Sequence, residues 1–145
     1  LGHEVVEAKP EVDASRFNEH FTTLWLGMVG WMIRDWSQRL EREPAPEYFE
    51  RHTWKMIQYA GELKAADFLL ALAALQKLSR DIAPFFTQHD VWLTPTLPEP
   101  PVPLGWFDYD RAAPHQATER MERFPRFTAI ANVTGQPAMS LPLCW

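Results

Sequence analysis

The sequence predicts an α/β fold that is rich in helix, and three observations predict it. From residue 13 to residue 86, apolar side chains recur every three or four positions, the period of a helix with one face on a core. After residue 89 that period gives way to short β-branched and aromatic runs closed by proline. The proline-dense stretch 96–105 (TLPEPPVPLG) admits only extended or polyproline II backbone, because successive prolines exclude both helix and ladder pairing. Three short strands are therefore expected among the helices, near residues 3–7, 90–94 and 138–142.

Each element has its own justification. Val5 and Val6 make residues 3–7 β-prone, and Lys9-Pro10 ends that stretch. Asp13 or Ser15 can cap the first helix by accepting a bond from an orphan backbone N–H. Phe17, Phe21, Leu24, Met28 and Met32 form its stripe. Trp25, Val29, Ile33 and Trp36 widen that stripe to half the circumference, so the helix is expected to pack on two sides. Gly27 and Gly30 lower its propensity but let a neighbour come close. Arg39 to Glu43 reads as a solvated last turn, ended by Pro44-Ala45-Pro46. A second helix is expected from Pro46, at its first position, to Tyr59 or Ala60, with Gly61 just beyond. Its inward side would carry Phe49, Met56 and Ile57.

The third helix starts near Lys64. Phe68, Leu72, Leu75, Ile82 and Phe86 step by fours and threes with Ser79 in the gap, and Leu69, Ala73 and Leu78 flank them. Pro84 removes one N–H late in this helix, so a kink or a new turn is expected there. Residues 90–94 (DVWLT) read as a buried strand, 106–116 as an irregular connection and 117–123 as one or two helical turns. Residues 127–134 read as a short helix closed by Gly135, after which Gln136-Pro137 leads into the last strand.

Composition narrows the function. A chain of 145 residues, 46% of them hydrophobic, fits one domain and can bury about two thirds of its unfolded surface. The net charge of -5 argues against a nucleic-acid partner, since neutralising phosphates takes clustered Lys and Arg. One cysteine, Cys144, excludes an internal disulfide framework and a multi-cysteine metal site. The longest apolar run, Leu24 to Ile33, is half of the about 20 residues a membrane span needs, so no span and a cytoplasmic location are expected. Seven tryptophans need either a large interior or a binding surface. The chain opens on Leu1 and stops on the apolar Leu143-Cys144-Trp145, where termini usually carry polar, frayed residues. The expectation is a single domain truncated at both ends.

The familiar catalytic constellations are absent from the sequence. His3, His20, His52, His89 and His115 include no pair at helical ligand spacing and no HExxH, so no metal is expected. Ser15, Ser37, Ser79 and Ser140 lie in no G-x-S-x-G turn. No glycine-rich phosphate loop occurs, and no cofactor is expected. The apolar surroundings of Cys144 favour the unreactive thiol. The Pro-rich run could serve a polyproline-reading partner, but it has no basic flank and follows an apolar strand, so a structural loop is the expected role.

Three blocks nevertheless resemble the amidase signature family, the amide hydrolases built on a Ser–Ser–Lys set. KAADFLLALAALQKLSRDIAPFF (64–86) is similar to the family's Ala-rich helix before a strand. HDVWLTPTLPEPPVPLG (89–105) is similar to its D-x-L-L-T-P-T…P-P…G segment. FTAIANVTGQPAMSLPL (127–143) is similar to its F-T-x-x-x-N-x-T-G-x-P-A-x-S-x-P block. The opening LGHEVVEAKP also resembles a family strand, so the likeness covers nearly the whole chain.

The resemblance implies a fragment of a mixed β-sheet core covered by helices, from the C-terminal part of an amidase. It implies that the nucleophilic serine, the bridging serine and the base lysine lie upstream, so that no catalytic residue is expected here and Lys9, Lys55, Lys64 and Lys77 are not its counterparts. It also implies that Phe127, Thr128 and Ala131 face the substrate channel, with Thr94 and Pro95 behind them. Where the glutamine-using members carry an acid, this chain has Arg123-Phe124-Pro125-Arg126, which favours an uncharged or carboxylate-bearing amide. The expected partners are a small amide substrate, the remainder of the same enzyme and a further copy in a homo-oligomer. A different class stays open: a self-standing helical interaction module using a Trp-rich surface and the Pro-rich loop.

Overall fold

The computed structural model describes residues 2–107, 119–121, 123–125 and 127–142. Asp13 opens the first helix, α1 (Ala14–Leu40). Its carboxylate accepts the backbone N–H groups of Ser15 and Arg16 at 3.1 and 3.2 Å, satisfying two donors that a helix start leaves bare. Glu41 closes α1 in the left-handed region (φ 48°), and the Arg42 N–H then donates to the Ser37 carbonyl at 3.1 Å. Two lines of side chains on α1 meet different surroundings. Phe17 is buried at the N-terminal end. Further along, the inward line runs through the glycines: a Cβ at Gly27 would fall on the Phe68 ring, and one at Gly30 would lie 3.1 Å from the Ala60 Cβ.

The first part of the line expected to pack does so, with Phe21 and Leu24 against the buried Phe17, while its later part at Met28 and Met32 turns outward as the glycines take the inward side. Met28 is 51% and Met32 46% exposed, beside Trp25 and Trp36 on the same open side.

Pro46–Tyr48 forms a separate 3-10 turn, and α2 spans Arg51–Glu62. The expected start at Pro46 and stop before Gly61 are both corrected. Phe49 takes an extended backbone (φ -131°, ψ 149°), which ends the first turn and sets its ring against Trp54, centroids 6.1 Å apart. The Arg42 guanidinium sits 3.7 Å over the Tyr48 ring and ties the turn to the end of α1. The third helix, α3 (Ala65–Ile82), buries Ala71, Leu75 and Ile82, while its expected flank at Leu69 and Ala73 is exposed. Pro84 falls in a new 3-10 turn, Ala83–Thr87, as expected.

Helix α4 (Thr128–Thr134) ends at Gly135, whose positive φ of 68° lets its N–H reach the Ala131 carbonyl at 3.0 Å. α1 packs on both α2 and α3, and α3 on α4. Phe17, Leu75 and Ala129 form the buried centre, with Leu24, Leu78 and Val133 against it. Ser79, the polar gap in the α3 stripe, donates to the Leu75 carbonyl at 3.0 Å, with the Val133 carbonyl of α4 3.5 Å away. A hydroxyl is therefore tolerated at that contact without an unmet bond.

The expected fold class is overturned. Residues 3–7, 90–94 and 138–142 form no strand, and no sheet exists among the described residues, which are helical with irregular connections. In the segment expected as a buried strand Val91 is 76% and Leu93 74% exposed, and Val5 and Met139 of the other two segments are 85% and 81% exposed. A strand needs a partner to take its N–H and C=O groups, and no described segment supplies one. A side-chain bond between Thr96 Oγ1 and Ser140 Oγ, 3.1 Å, joins the segments that follow Thr94 and Ala138. Residues 96–105 carry neither helix nor strand. Residues 119–121 and 123 are helical, while the rest of 117–123, the 108–116 connection and residues 143–145 lie outside the described residues. No helix among the described residues is long and apolar enough to cross a membrane.

Candidate functional site

A partly enclosed cavity of about 480 Å³ opens between α1, α2 and α4, within the range of about 300–1,000 Å³ usual for small-molecule sites. Its first wall is a row of rings. Phe17, Phe21 and Trp25 are spaced by four, so successive turns of α1 put them on one face. Phe17 and Phe21 stack at 5.6 Å, and Phe21 and Trp25 follow at 6.1 Å. The opposite wall is one face of α2, where His52, Lys55, Met56 and Tyr59 follow the same period. Ala129 and Asn132 of α4, with Met121 and Pro125, also line the cavity.

The electrostatics of the cavity are simple. Burial, and secondly the Lys55 ammonium, push the His52 imidazole below its ordinary range, against a smaller opposite pull from Glu50. His52 is thus a neutral ring at pH 7. Lys55 is the lysine of the lining, and no aspartate or glutamate stands among the described residues that line the cavity. Asn18, Thr22 and Asn132 add uncharged donors and acceptors. Among the described residues no group of three or more His, Cys, Asp or Glu side chains is placed to hold a metal ion.

A second depression, of about 1220 Å³, runs between the C-terminal half of α1, the end of α2 and the start of α3. It is an open groove whose rim mixes Arg34, Arg42 and Lys64 with Glu41 and Glu43.

The residues expected from sequence to face substrate lie on two segments. Thr94 is half-buried and Pro95 exposed, on the segment that Thr96 ties to Ser140. Phe127 is half-buried at the head of α4, Thr128 is exposed, and Ala131 is half-buried. The Thr128 hydroxyl donates to the Pro125 carbonyl at 3.3 Å. None of these five lines the cavity, which α4 meets through Ala129 and Asn132, one position further around the helix from Thr128 and Ala131. The cavity's own walls were half legible. The spacing of Phe17, Phe21 and Trp25 declares one helix face, and that of His52, Met56 and Tyr59 another. That the two faces oppose each other across a gap follows from packing alone.

The amidase family profile matches residues 1–145. The chain belongs to the amidase family. A relative in Mycobacterium tuberculosis, named "Putative amidase AmiC", is 29% identical over 146 aligned positions, covering 99% of this chain and 30% of that protein. An amidase of Pseudomonas putida is 28% identical over 99 positions, covering 68% of this chain and 21% of that protein. A lipoamidase of Enterococcus faecalis is 24% identical over 161 positions, covering 97% of this chain and 22% of that protein. The chain thus spans less than a third of the length of these relatives. No solved structure matches it.

Proposed function

We propose that this chain is the pocket and scaffold portion of an enzyme that hydrolyses carboxylic amide C–N bonds through a serine acyl-enzyme. The observation that carries the reading is the family match along all of residues 1–145, together with relatives named as amidases that are about three times as long. In the parent enzyme, a serine outside this chain attacks the amide carbonyl. Its proton passes through a second serine to a neutral lysine, backbone N–H groups hold the oxyanion, the amine leaves, and water releases the acid. This chain contributes walls to that chemistry. Phe127, Thr128 and Ala131, with Thr94 and Pro95, are assigned to the substrate side on the family resemblance. The parent is read as a cytoplasmic enzyme and needs no metal or cofactor for these steps.

The test is activity with and without the remainder. The chain alone should cleave no amide, and a longer enzyme containing it should cleave amides and lose that activity when its nucleophilic serine is replaced. Amide cleavage by the chain alone that survives replacement of Ser15, Ser37, Ser79 and Ser140 together would reject the reading. The exposed Trp25, Trp31 and Trp36 along α1 favour a second reading, a helical interaction module. Its mark would be a protein partner bound through α1 by an enzyme part that contributes nothing to amide turnover.

A further inference from the structure

The Pro-rich run, which carries neither helix nor strand, ends in a fixed point. The Trp106 N–H donates to the Pro103 carbonyl at 3.1 Å, and Gly105, third residue of that turn, takes a φ of 81°, a value glycine reaches without a side-chain clash. Trp106 and Phe107 then hold a second segment by two contacts. The Arg120 guanidinium lies 4.4 Å from the centroid of the Trp106 ring, and its Nη1 donates to the Trp106 carbonyl at 3.1 Å. Phe124 meets Phe107 edge-on, with centroids 5.3 Å apart. Arg120 and Phe124 are four residues apart and share one face of a helical turn, which the Phe124 N–H closes by donating to the Arg120 carbonyl at 3.2 Å.

The residue after each of them lines the cavity between α1, α2 and α4: Met121 follows Arg120, and Pro125 follows Phe124. One turn thus presents a clamped face and, about 100° further round, a cavity-lining one. The Pro125 carbonyl accepts the Ala129 N–H at 3.2 Å, so the lining continues through Ala129 and Asn132 of α4. Ala129 seats α4 in the buried centre with Phe17 and Leu75, whereas Arg120 and Phe124 seat the turn that carries Met121. Arg120 and Trp106 are not among the described residues that line the cavity, so Arg120 acts on it through its neighbour in the chain.

We propose that Arg120 is a positioning residue for specificity: it fixes the turn that carries Met121 and Pro125, and the cavity so bounded limits the size of the non-reacting group of the amide. The limit on substrate size rests on the hydrolase reading, and the seating of the turn rests on the contacts alone. A guanidinium suits the place because its plane can stack on the indole while one N–H reaches the carbonyl beside it, a combination that a lysine ammonium lacks.

The experiment uses the full-length enzyme that contains this chain, unaltered and as Arg120→Ala, Arg120→Lys and Trp106→Ala. Hydrogen exchange read by mass spectrometry should speed up by about tenfold in the peptide that holds Met121 and Phe124 in both alanine variants, while the peptides of α3 keep their protection. Arg120→Lys, which keeps a cation within reach of the ring, should fall between. In the alanine variants, kcat/KM for ammonia release from primary alkanamides of four and ten carbons should shift by about tenfold toward the longer amide, through KM more than kcat. A general loss of folding lowers both amides by the same factor and leaves their ratio alone. Unaltered exchange in both alanine variants, or an unaltered ratio of the two amides, overturns the proposal. If Arg120→Ala fails to fold, Trp106→Ala decides by the same two readings. An unaltered enzyme that cleaves no amide defeats the hydrolase reading and the size limit with it, while faster exchange at the turn still supports the seating by Arg120. Amide cleavage with unaltered exchange sinks this inference alone.

Discussion

Three glycines inside helices provide a controlled experiment on how α1 meets its neighbours. Gly27, Gly30 and Gly61 differ in what an added methyl group would touch. At Gly61 nothing lies within 4 Å; at Gly30 the Ala60 Cβ is 3.1 Å away; at Gly27 the methyl lands on the Phe68 ring. Replacing glycine by alanine within a helix gains about 1 kcal/mol of propensity. Gly61→Ala should keep part of that gain, because it lies near the end of α2, and stabilise by about 0.5 kcal/mol. In Gly30→Ala a shift of a few tenths of an ångström is needed, which offsets the gain and leaves the net near zero. For Gly27→Ala the ring of Phe68 has to move, and overpacking of this kind costs about 1–3 kcal/mol. Subtracting the propensity gain leaves a net loss of about 0–2 kcal/mol. Urea unfolding of the four chains, read by far-UV circular dichroism, gives the order directly. If Gly27→Ala stabilises as much as Gly61→Ala, the helices do not approach through the glycine line and the packing described here is wrong.

Other outcomes follow from the same structure. Leu75→Ala removes the most central leucine, 3% exposed, and should cost about 2–5 kcal/mol in the same unfolding assay. Asp13→Ala, which deletes the acceptor for two backbone N–H groups, should cost about 1 kcal/mol. His52 resists protonation in the folded chain, whereas the unfolded chain takes up that proton near the ordinary value of 6.5. Stability should therefore be full above that pH and fall as the pH drops through it toward the lowered folded value. His52→Gln should flatten that part of the stability profile, and an unchanged slope would remove His52 from the account. Trp31 and Leu70, each 69% exposed, stand on apolar surface that should bind a hydrophobic dye and drive concentration-dependent association. The double variant Trp31→Glu, Leu70→Glu should lower both signals, measured by fluorescence and by light scattering.

The helices were legible because their signals are local. Asp13 before an apolar period, Gly135 after one, and Pro84 as the end of α3 act on their own neighbours in the chain, and each behaves as its chemistry requires. Where local signals were misjudged, a single backbone residue made the difference. Phe49 in an extended conformation splits the expected second helix into a 3-10 turn and α2. The α3 flank at Leu69 failed for another reason: apolar character marks a residue that could be buried, and no neighbour covers that side among the described residues.

The strands and the site are different in kind. Val5, Val91 and Met139 look like strand residues, but alternation and β-branching become a strand only when a second segment completes the hydrogen bonds. In this chain that partner is not among the described residues, and the side chains stay exposed. Of the five residues chosen from the family blocks, Phe127, Thr128 and Ala131 sit at α4, which lines the cavity through Ala129 and Asn132, a difference of one position around the helix from Thr128 and Ala131. Sequence by itself determined the family and the helical faces, because motif and period are written in consecutive residues. Which faces oppose one another, and the space left between them, was decided only by tertiary packing, where two glycines of α1 meet Phe68 of α3 and Ala60 of α2 and a cavity remains between α1, α2 and α4.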